Sequence, residues 1–413
     1  MILLKKECSA EHQTGQITHR KGHTMEASRK KLLKNVMDSS VRSGETAGSL
    51  LLVMKNGREE CFLRTGYADI GAGKPLERNS LFRLYSMSKP VTAAAVMILV
   101  ERGLIDLNDQ IRYIFPAFEN MKVMENGKPS RAVKDLTLFD IFNMTSGLVY
   151  PGPDGAHLQA AKIFDDIIKG LSETPGGNLS TLEYADRTGR VPLAFQPGSH
   201  WEYGTGADIM GAVVEKISGM RYGDFLKKEI FDPLGMKDTD FYVPAGKKKR
   251  LAKVYESIPG GEMAEYTGEN LGIENPPYHR PAFESGGAGL ISCIDDYEKF
   301  ASMLLNGGKL NGKKILSENS VDFLTKGRLN PEQQKDFNWD GMQGFTYSHF
   351  LRIMDEPEKA VTIARKGEYG WDGWLGCYVA NIPSDKMTIL IMTQKKDSGT
   401  FGLTRKIRNI VLA

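Results

Sequence analysis

The chain opens with the elements of a helix followed by a β-hairpin. Residues 25–41 carry apolar side chains at helical spacing, and residues 48–54 form a continuous apolar run. Asn56-Gly57 then supplies a strong signal for a two-residue hairpin turn, which predicts a returning strand over residues 59–68. An isolated hairpin is not stable in water, so these strands require partners elsewhere in the chain.

The far end of the chain carries the same elements in reverse order. Two strand-like runs, over residues 374–382 and 387–393, precede a helical pattern over about 400–412. A helix–hairpin opening and a hairpin–helix close predict that both termini build one antiparallel sheet that helices cover. The expected fold class is therefore α+β, with an antiparallel sheet flanked by helices.

The 413 residues allow two lobes. We expect a sheet lobe built from residues 25–85 and 285–413, and a mainly helical lobe inserted at residues 86–284, with the functional cleft between them. Residues 1–24 are polar and are predicted to be a loosely ordered leader, with Met25 as an alternative start.

The charge balance excludes some partners. With 54 basic and 51 acidic residues the net charge is +3, so neither nucleic acid nor an anionic membrane is the predicted partner. The basic run Lys247 to Arg250 follows Pro244 and Gly246, which favours a solvated loop over a recognition patch.

The remaining composition points to a reducing compartment. The four cysteines are scattered singly, no run approaches the roughly 18 apolar residues of a transmembrane helix, and the apolar opening is too short for a signal peptide. We therefore expect a cytoplasmic location, while the oligomeric state is left open.

A candidate nucleophile stands at the start of an apolar helix. Pro90 fits only the first turn of a helix, so the helix over Val91 to Val100 is expected to begin near Ser86 or Met87. Ser86 and Lys89 are three residues apart and would share one helical face.

This pairing has a chemical use. A serine hydroxyl is a weak nucleophile until a neighbouring group takes its proton, and a lysine can do so when burial lowers its pKa. Ser28 also precedes a lysine by three residues, but its surroundings are those of a basic surface helix. We therefore assign Ser86 as the nucleophile and Lys89 as its base.

Several segments, in order along the chain, resemble one family of serine hydrolases. They are Phe82-Arg83-Leu84-Tyr85-Ser86-Met87-Ser88-Lys89-Pro90, Glu101 to Leu107, Phe115 to Phe118, Met144 to Leu148 and Gly286 to Ser292. Together they are similar to the class C β-lactamase and family VIII carboxylesterase group of penicillin-recognising proteins. The resemblance implies the β-lactamase/transpeptidase-like fold and covers roughly residues 47–395.

The resemblance implies a third catalytic residue, Tyr203. It stands in Trp201-Glu202-Tyr203-Gly204-Thr205, where this group places a tyrosine. Thr205 stands where the lactamases usually carry asparagine, and Asp208 where many esterases of the group carry aspartate. The departure at Thr205 weakens the case for lactam recognition.

A third motif lies just before the terminal hairpin. Trp371-Asp372-Gly373 resembles the esterase form of the motif, where the lactamases carry Lys-Thr-Gly, and we expect it on an edge strand. The resemblance implies an oxyanion hole formed by the amides of Ser86 and Trp374. Trp371, Asp372, Gly373 and Tyr150 are the predicted substrate-binding residues, with Trp371 as an aromatic wall and Asp372 as a charge that repels anions.

These observations predict a serine hydrolase that forms an acyl-enzyme. The first hypothesis is a carboxylesterase, or an acyltransferase that uses the same acyl-enzyme, acting on a small-molecule ester or amide. The alternatives are a β-lactamase or D-alanyl-D-alanine carboxypeptidase on the same scaffold, and a non-catalytic penicillin-binding-like protein. No Gly-x-Ser-x-Gly, HExxH or dinucleotide motif is present, so no metal or cofactor is expected.

Overall fold

The computed structural model describes residues 25–258 and 261–413, so the predicted leader, residues 1–24, lies outside the described residues. In the described ranges the strands are β1 (Gly48–Lys55), β2 (Arg58–Asp69), β3 (Lys74–Pro75), β4 (Phe82–Arg83), β5 (Lys122–Glu125), β6 (Lys128–Arg131), β7 (Tyr255–Ser257), β8 (Met263–Glu265), β9 (Ile291–Ser292), β10 (Lys309–Leu310), β11 (Lys313–Lys314), β12 (Phe345–Ser348), β13 (Leu351–Met354), β14 (Tyr369–Asp372), β15 (Tyr378–Ile382) and β16 (Met387–Thr393). The α-helices there are α1 (Ala27–Arg42), α2 (Lys89–Glu101), α3 (Leu138–Phe142), α4 (Gly155–Glu173), α5 (Thr181–Thr188), α6 (Gly206–Ser218), α7 (Tyr222–Leu226), α8 (Asp232–Leu234), α9 (Ile294–Leu305), α10 (Glu318–Leu324), α11 (Pro331–Asp336) and α12 (Gly402–Leu412).

The two ends of the chain meet in one eight-stranded sheet, as predicted. Its order is β12-β13-β14-β15-β16-β1-β2-β3, and every neighbouring pair is antiparallel. The first and last long strands pair directly, from Ser49 opposite Thr393 to Lys55 opposite Met387. The α+β class with an antiparallel sheet is confirmed.

Both faces of this sheet are covered, and the alternation of side chains along β1 explains why. Leu51 and Val53 pack with residues of α1 and α12 on one face, whereas Leu50 and Leu52 join the larger core on the other face. A strand buried on both sides reads as a continuous apolar run because each face needs every second residue.

The larger core surrounds α2, whose residues from Lys89 to Leu99 are all buried. A helix that is apolar on all sides belongs in the interior, and α2 lies against α6 and β14. The chain between α2 and β9 carries the helices α3 to α8 and two small hairpins, β5–β6 and β7–β8, joined by long loops. The division of the molecule into two lobes at residues 86 and 284 stays a prediction.

Two expectations about strands were wrong. The strand predicted to start at residue 374 starts at Tyr378, because residues 374–376 turn and Gly376 has φ of +85°. The strand that carries the third motif, β14, is not an edge strand but lies between β13 and β15. Its pairing with β13 nevertheless covers only Tyr369 and Gly370, so the sheet opens where the motif begins.

The described helices include none that is both long enough and apolar enough to cross a membrane.

Candidate active site

The candidate nucleophile lies in a short turn that leads directly into the central helix. Tyr85–Ser88 forms a single 3₁₀ turn, and Pro90 occupies the first turn of α2 as its ring requires. Tyr85 has φ of +46°, a strained value for a non-glycine residue, and strain of this kind is common beside reacting groups. Ser86 itself is half-buried, so its hydroxyl has access to the cleft.

Lys89 reaches the Ser86 hydroxyl from the next turn. Its Nζ lies 3.2 Å from Ser86 Oγ, 3.0 Å from the Tyr150 hydroxyl and 2.9 Å from the carbonyl oxygen of Gly287. The same nitrogen lies 4.6 Å from the centre of the Tyr203 ring. The structure therefore brings Ser86, Lys89, Tyr203 and Tyr150 together.

Burial favours the neutral form of Lys89. The residue is 0% exposed, and desolvation lowers the pKa of its ammonium group to about 7, against the smaller opposing effects of Asp208 and Asp372. A lysine with such a pKa is largely neutral at slightly alkaline pH, and its lone pair can then take a proton.

The three neighbours of Lys89 fit the neutral amine. A neutral amine has two N–H donors and one lone pair, and the carbonyl of Gly287 can only accept one of those N–H groups. When the second N–H is donated to the Tyr150 oxygen, the lone pair remains for the Ser86 hydroxyl. This is the arrangement that general-base activation of serine requires.

A loop held by Asp208 positions the Gly287 carbonyl. Asp208, in the first turn of α6, accepts hydrogen bonds from Ser285 Oγ at 2.5 Å and from the Gly287 amide at 3.0 Å. A Cβ at Gly287 would lie 2.9 Å from Asp208 Oδ2 and 3.0 Å from the Tyr150 hydroxyl, so only glycine leaves room for both. Burial raises the pKa of Asp208.

Trp371 holds Tyr203 in place through a hydrogen bond and a ring stack. The indole Nε1–H donates to the Tyr203 hydroxyl at 3.1 Å, and the two rings stack with centres 5.5 Å apart. Burial raises the pKa of Tyr203, against the opposing effect of the Ser86 and Trp371 side chains, so the phenol stays protonated. With its oxygen occupied by Trp371, the Tyr203 O–H is available to donate toward the cleft.

Trp371 is thus a positioning residue, not the aromatic wall that we predicted. Its side chain is only 2% exposed, because Tyr203 covers one face and Tyr347 packs at an edge. A more exposed ring nearby is that of Trp339, which is 38% exposed and lies 5.1 Å from Tyr203 between ring centres. The sequence pattern did not identify Trp339, because it lies in a loop with no motif.

Two backbone amides are available for an oxyanion. Among the described residues, neither the Ser86 nor the Trp374 amide has a hydrogen-bond acceptor. The turn that carries Ser86 and the strand that leads to Trp374 meet at Gly373, where a Cβ would lie 2.1 Å from the Leu84 carbonyl oxygen. Glycine is therefore required at 373 for the close approach of the protein's own backbone, whereas we predicted it as a substrate-binding residue.

Asp372 does not present a free charge to the cleft. Arg352, which is almost fully buried, donates from Nη1 to Asp372 Oδ1 at 2.6 Å and also lies over the ring of Tyr378. The predicted repulsion of anionic substrates by Asp372 was wrong, because Arg352 balances that carboxylate. No sequence pattern indicates this pair, since the residues are twenty positions apart on two strands.

Thr205 also stays out of the cleft. It is the residue that precedes α6 and is 1% exposed, so it offers substrate no polar group in place of the asparagine that the lactamases carry.

A set of possible metal ligands lies elsewhere in the described chain. Asp238, Cys293 and Asp296 place ligand atoms within 4.8 Å of one another. Cations already neutralise both carboxylates: Lys247 and Arg250 bind Asp238, and Lys299 binds Asp296. Burial raises the pKa of Cys293 to about 12, so the thiol is not a ready thiolate ligand.

Two features define a serine hydrolase of the penicillin-recognising type. One is the antiparallel sheet with helices on both faces, and the other is the serine–lysine pair at the start of the central helix. The family model described as Beta-lactamase matches residues 30–412, and the chain belongs to that family. The resemblance that the sequence motifs indicated is therefore confirmed.

Individual relatives and solved structures extend this comparison. Protein Rv1367c of Mycobacterium tuberculosis is 29% identical over 85% of both chains. Esterase EstB of Burkholderia gladioli is 26% identical over 92% of this chain and 94% of its own. The structure of EstCE1, a hydrolase with promiscuous acyltransferase activity, superposes with a TM-score of 0.77 at 22% identity, covering 94% of this chain and 99% of that one.

Proposed function

We propose that this protein is a carboxylesterase that works through an acyl-enzyme on Ser86. The observation that carries the proposal is the contact between Ser86 Oγ and a buried Lys89 whose pKa lies near 7. Such a pair supplies a nucleophile and its base in one turn of helix. The relative EstB is an esterase that matches almost the full chain, which supports the same class of substrate.

In the first step Ser86 Oγ attacks the ester carbonyl carbon while the lone pair of Lys89 takes the hydroxyl proton. The carbonyl oxygen becomes an oxyanion, and the amides of Ser86 and Trp374 donate to it. As the carbon–oxygen bond to the alcohol breaks, the leaving oxygen needs a proton. Tyr203 donates its own proton and recovers one from Lys89, which leaves Lys89 neutral and the acyl group on Ser86.

In the second step a water molecule, or an acceptor alcohol, attacks the acyl carbon. Lys89 takes the proton of the attacking oxygen, and the bond to Ser86 breaks as Ser86 Oγ regains a proton. Water releases a carboxylic acid and an alcohol releases a new ester. EstCE1 combines hydrolase and acyltransferase activity, which supports acyl transfer as an accompanying activity here.

An ester suits this cleft better than a lactam with its adjoining carboxylate. In lactamases the lysine of the third motif helps to bind that carboxylate; here Trp371 stands in its place and is buried. Arg352, on the neighbouring strand β13, is bound to Asp372. The described part of the cleft therefore lacks a free cation at this position, and the exposed ring of Trp339 beside Tyr203 favours an apolar group.

One labelling experiment separates an esterase from a peptidase-like protein and from a non-catalytic protein. A fluorophosphonate and a fluorescent penicillin are each incubated with the protein, and intact mass is measured over time. An esterase gives the fluorophosphonate adduct and no lasting penicilloyl adduct, whereas a peptidase-like protein gives a stable penicilloyl adduct. A non-catalytic protein gives neither adduct, and that result would overturn the proposal.

We expect p-nitrophenyl butyrate to be hydrolysed with a kcat/KM at least about 100-fold above that for nitrocefin. A missing charge-assisted hydrogen bond to the carboxylate costs roughly 1.5–3 kcal/mol, and loss of lactam recognition at Thr205 adds to it. Steady-state rates on the two chromogenic substrates measure the ratio. A nitrocefin value equal to or above the butyrate value would promote the lactamase alternative.

Ester hydrolysis is expected to rise with pH through an apparent pKa near 7. The base is the neutral form of Lys89, which disappears as the pH falls below its pKa of about 7. The pH dependence of kcat/KM reports the pKa values of the free enzyme. Below pH 7 a plot of log(kcat/KM) against pH should therefore rise with a slope of one. Activity that stays flat between about pH 5.5 and 8.5 would remove Lys89 from the role of base.

A further inference from the structure

A group of basic residues lies outside the cleft, around the buried Arg83. This residue of β4 is 4% exposed, yet no carboxylate in the described chain pairs with it. Its Nη1 donates to the Ala252 carbonyl at 2.9 Å and its Nη2 to Asn275 Oδ1 at 2.5 Å, while its Nε–H has no acceptor among the described residues. Nη1 also lies 3.4 Å from Gln394 Oε1, a third neutral acceptor. A buried cation that only neutral oxygens solvate is costly.

Arg83 borders a cavity of about 220 Å³, and two of its three acceptor residues, Ala252 and Asn275, line the same cavity. Lys74, Lys248, Lys249 and Lys253 are the other cations on its wall, and Asp69 and Glu265 are the acids. Lys253 binds both of those acids, at 3.2 and 2.8 Å. Arg83 and the other three lysines are left without a carboxylate partner in the part of the chain that the structure describes, so the cavity is electropositive.

The basic run Lys247 to Arg250 explains how two of these lysines are presented. Lys247 and Arg250 both bind Asp238, at 2.8 and 2.6 Å, and so fix the short 3₁₀ turn Ala245–Arg250. Lys248 and Lys249, between them, are exposed and face the cavity, with Lys248 above the ring of Tyr278. The solvated loop that we expected thus describes the exposed Lys248 and Lys249, whereas Lys247 and Arg250 are held in ion pairs with Asp238.

We propose that this cavity binds a phosphate group, as free phosphate or as a small phosphate monoester. Lys74, Lys248 and Lys249 line the cavity, whereas the Arg83 guanidinium, whose Nε is buried and whose other nitrogens are bound to protein oxygens, adds positive potential beneath it. A tetrahedral dianion offers enough acceptor oxygens for three ammonium groups, whereas a single carboxylate offers two. The volume holds a phosphate together with a small organic substituent. Tyr266 also lines the cavity and packs against Trp374, with ring centres 5.7 Å apart. The site therefore lies outside the cleft, and Tyr266 connects it to the residue whose amide belongs to the proposed oxyanion hole.

The test is calorimetric titration of the full-length protein with inorganic phosphate and with glycerol 3-phosphate, at constant ionic strength set by sodium chloride. Saturable binding near one equivalent is expected. The double variant K248Q/K249Q should bind at least about tenfold more weakly, because two charge-assisted contacts are lost. The matched control is K313Q/K314Q, which removes two exposed neighbouring lysines on β11 and should bind as the wild type does.

Tighter binding of the ester than of phosphate would identify an organic phosphate as the ligand, and equal binding would identify free phosphate. Equal affinity in K248Q/K249Q and the wild type, or no saturable binding of either compound, overturns the proposal. Hydrolysis of p-nitrophenyl butyrate should remain within about twofold in K248Q/K249Q without phosphate, which keeps this test separate from the proposed esterase function. Arg83→Gln would be a less specific test, because this change also removes the hydrogen bonds to Ala252 and Asn275.

Discussion

Replacement of Ser86 by alanine is expected to lower kcat for ester hydrolysis by about 10⁶-fold while the protein stays folded. Loss of the nucleophile removes the acyl-enzyme route, and removal of one member of a catalytic unit typically costs about this much. The change deletes a single half-buried oxygen, so the free energy of unfolding should change by less than about 1 kcal/mol. Initial rates with p-nitrophenyl butyrate and a thermal unfolding curve measure the two effects.

Ser28→Ala is the matched control for this variant. Ser28 also precedes a lysine by three residues, but it is exposed on α1, far from the cleft in sequence. It should keep full activity and full fluorophosphonate labelling. If the Ser86→Ala protein still incorporated one equivalent of fluorophosphonate, Ser86 would not be the nucleophile and the proposed mechanism would be wrong.

The sequence predicted the parts of this molecule that local pattern determines. Apolar runs beside Asn56-Gly57 and before the last helix were enough to place both hairpins in one antiparallel sheet. Pro90 and the apolar stretch after it placed the helix start near Ser86 or Met87, whereas α2 begins at Lys89 and Ser86 lies in the 3₁₀ turn before it. The predicted proximity of Ser86 and Lys89 holds nevertheless. In each case the signal lies within a few residues of the feature that it predicts.

What the sequence could not predict depends on pairs that only the fold brings together. The Gly287 carbonyl that fixes Lys89 comes from a loop almost two hundred residues away, and Asp208 holds that loop from a third segment. The pairing of Arg352 with Asp372, which removes the repulsion that we expected from Asp372, is a contact of the same kind. Trp371 carries an aromatic side chain whether it lines a cleft or supports Tyr203, and only its burial distinguishes the two.

Replacement of Lys89 by arginine is expected to abolish ester hydrolysis although the positive charge is kept. The guanidinium group cannot give up its proton near neutral pH, so no base remains for Ser86, and loss of general-base catalysis costs about 10²- to 10⁴-fold. The larger, permanently charged group must also fit a position that is 0% exposed, which costs stability. The rate should fall at every pH between about 6 and 9, and the rise near pH 7 should vanish.

Lys89→Met separates the loss of the base from the cost of the buried charge. Methionine has a similar length and no charge, so it fills the space beside Tyr150 and Tyr203 without a desolvation penalty. We expect this variant to unfold at a temperature equal to or above that of the wild type and to be as inactive as the arginine variant. The buried Gly287 carbonyl loses its donor, which offsets part of this gain in stability. An arginine variant that hydrolyses p-nitrophenyl butyrate within tenfold of the wild-type rate would show that residue 89 supplies only positive charge, and the proton of Ser86 would then have to leave through Tyr203.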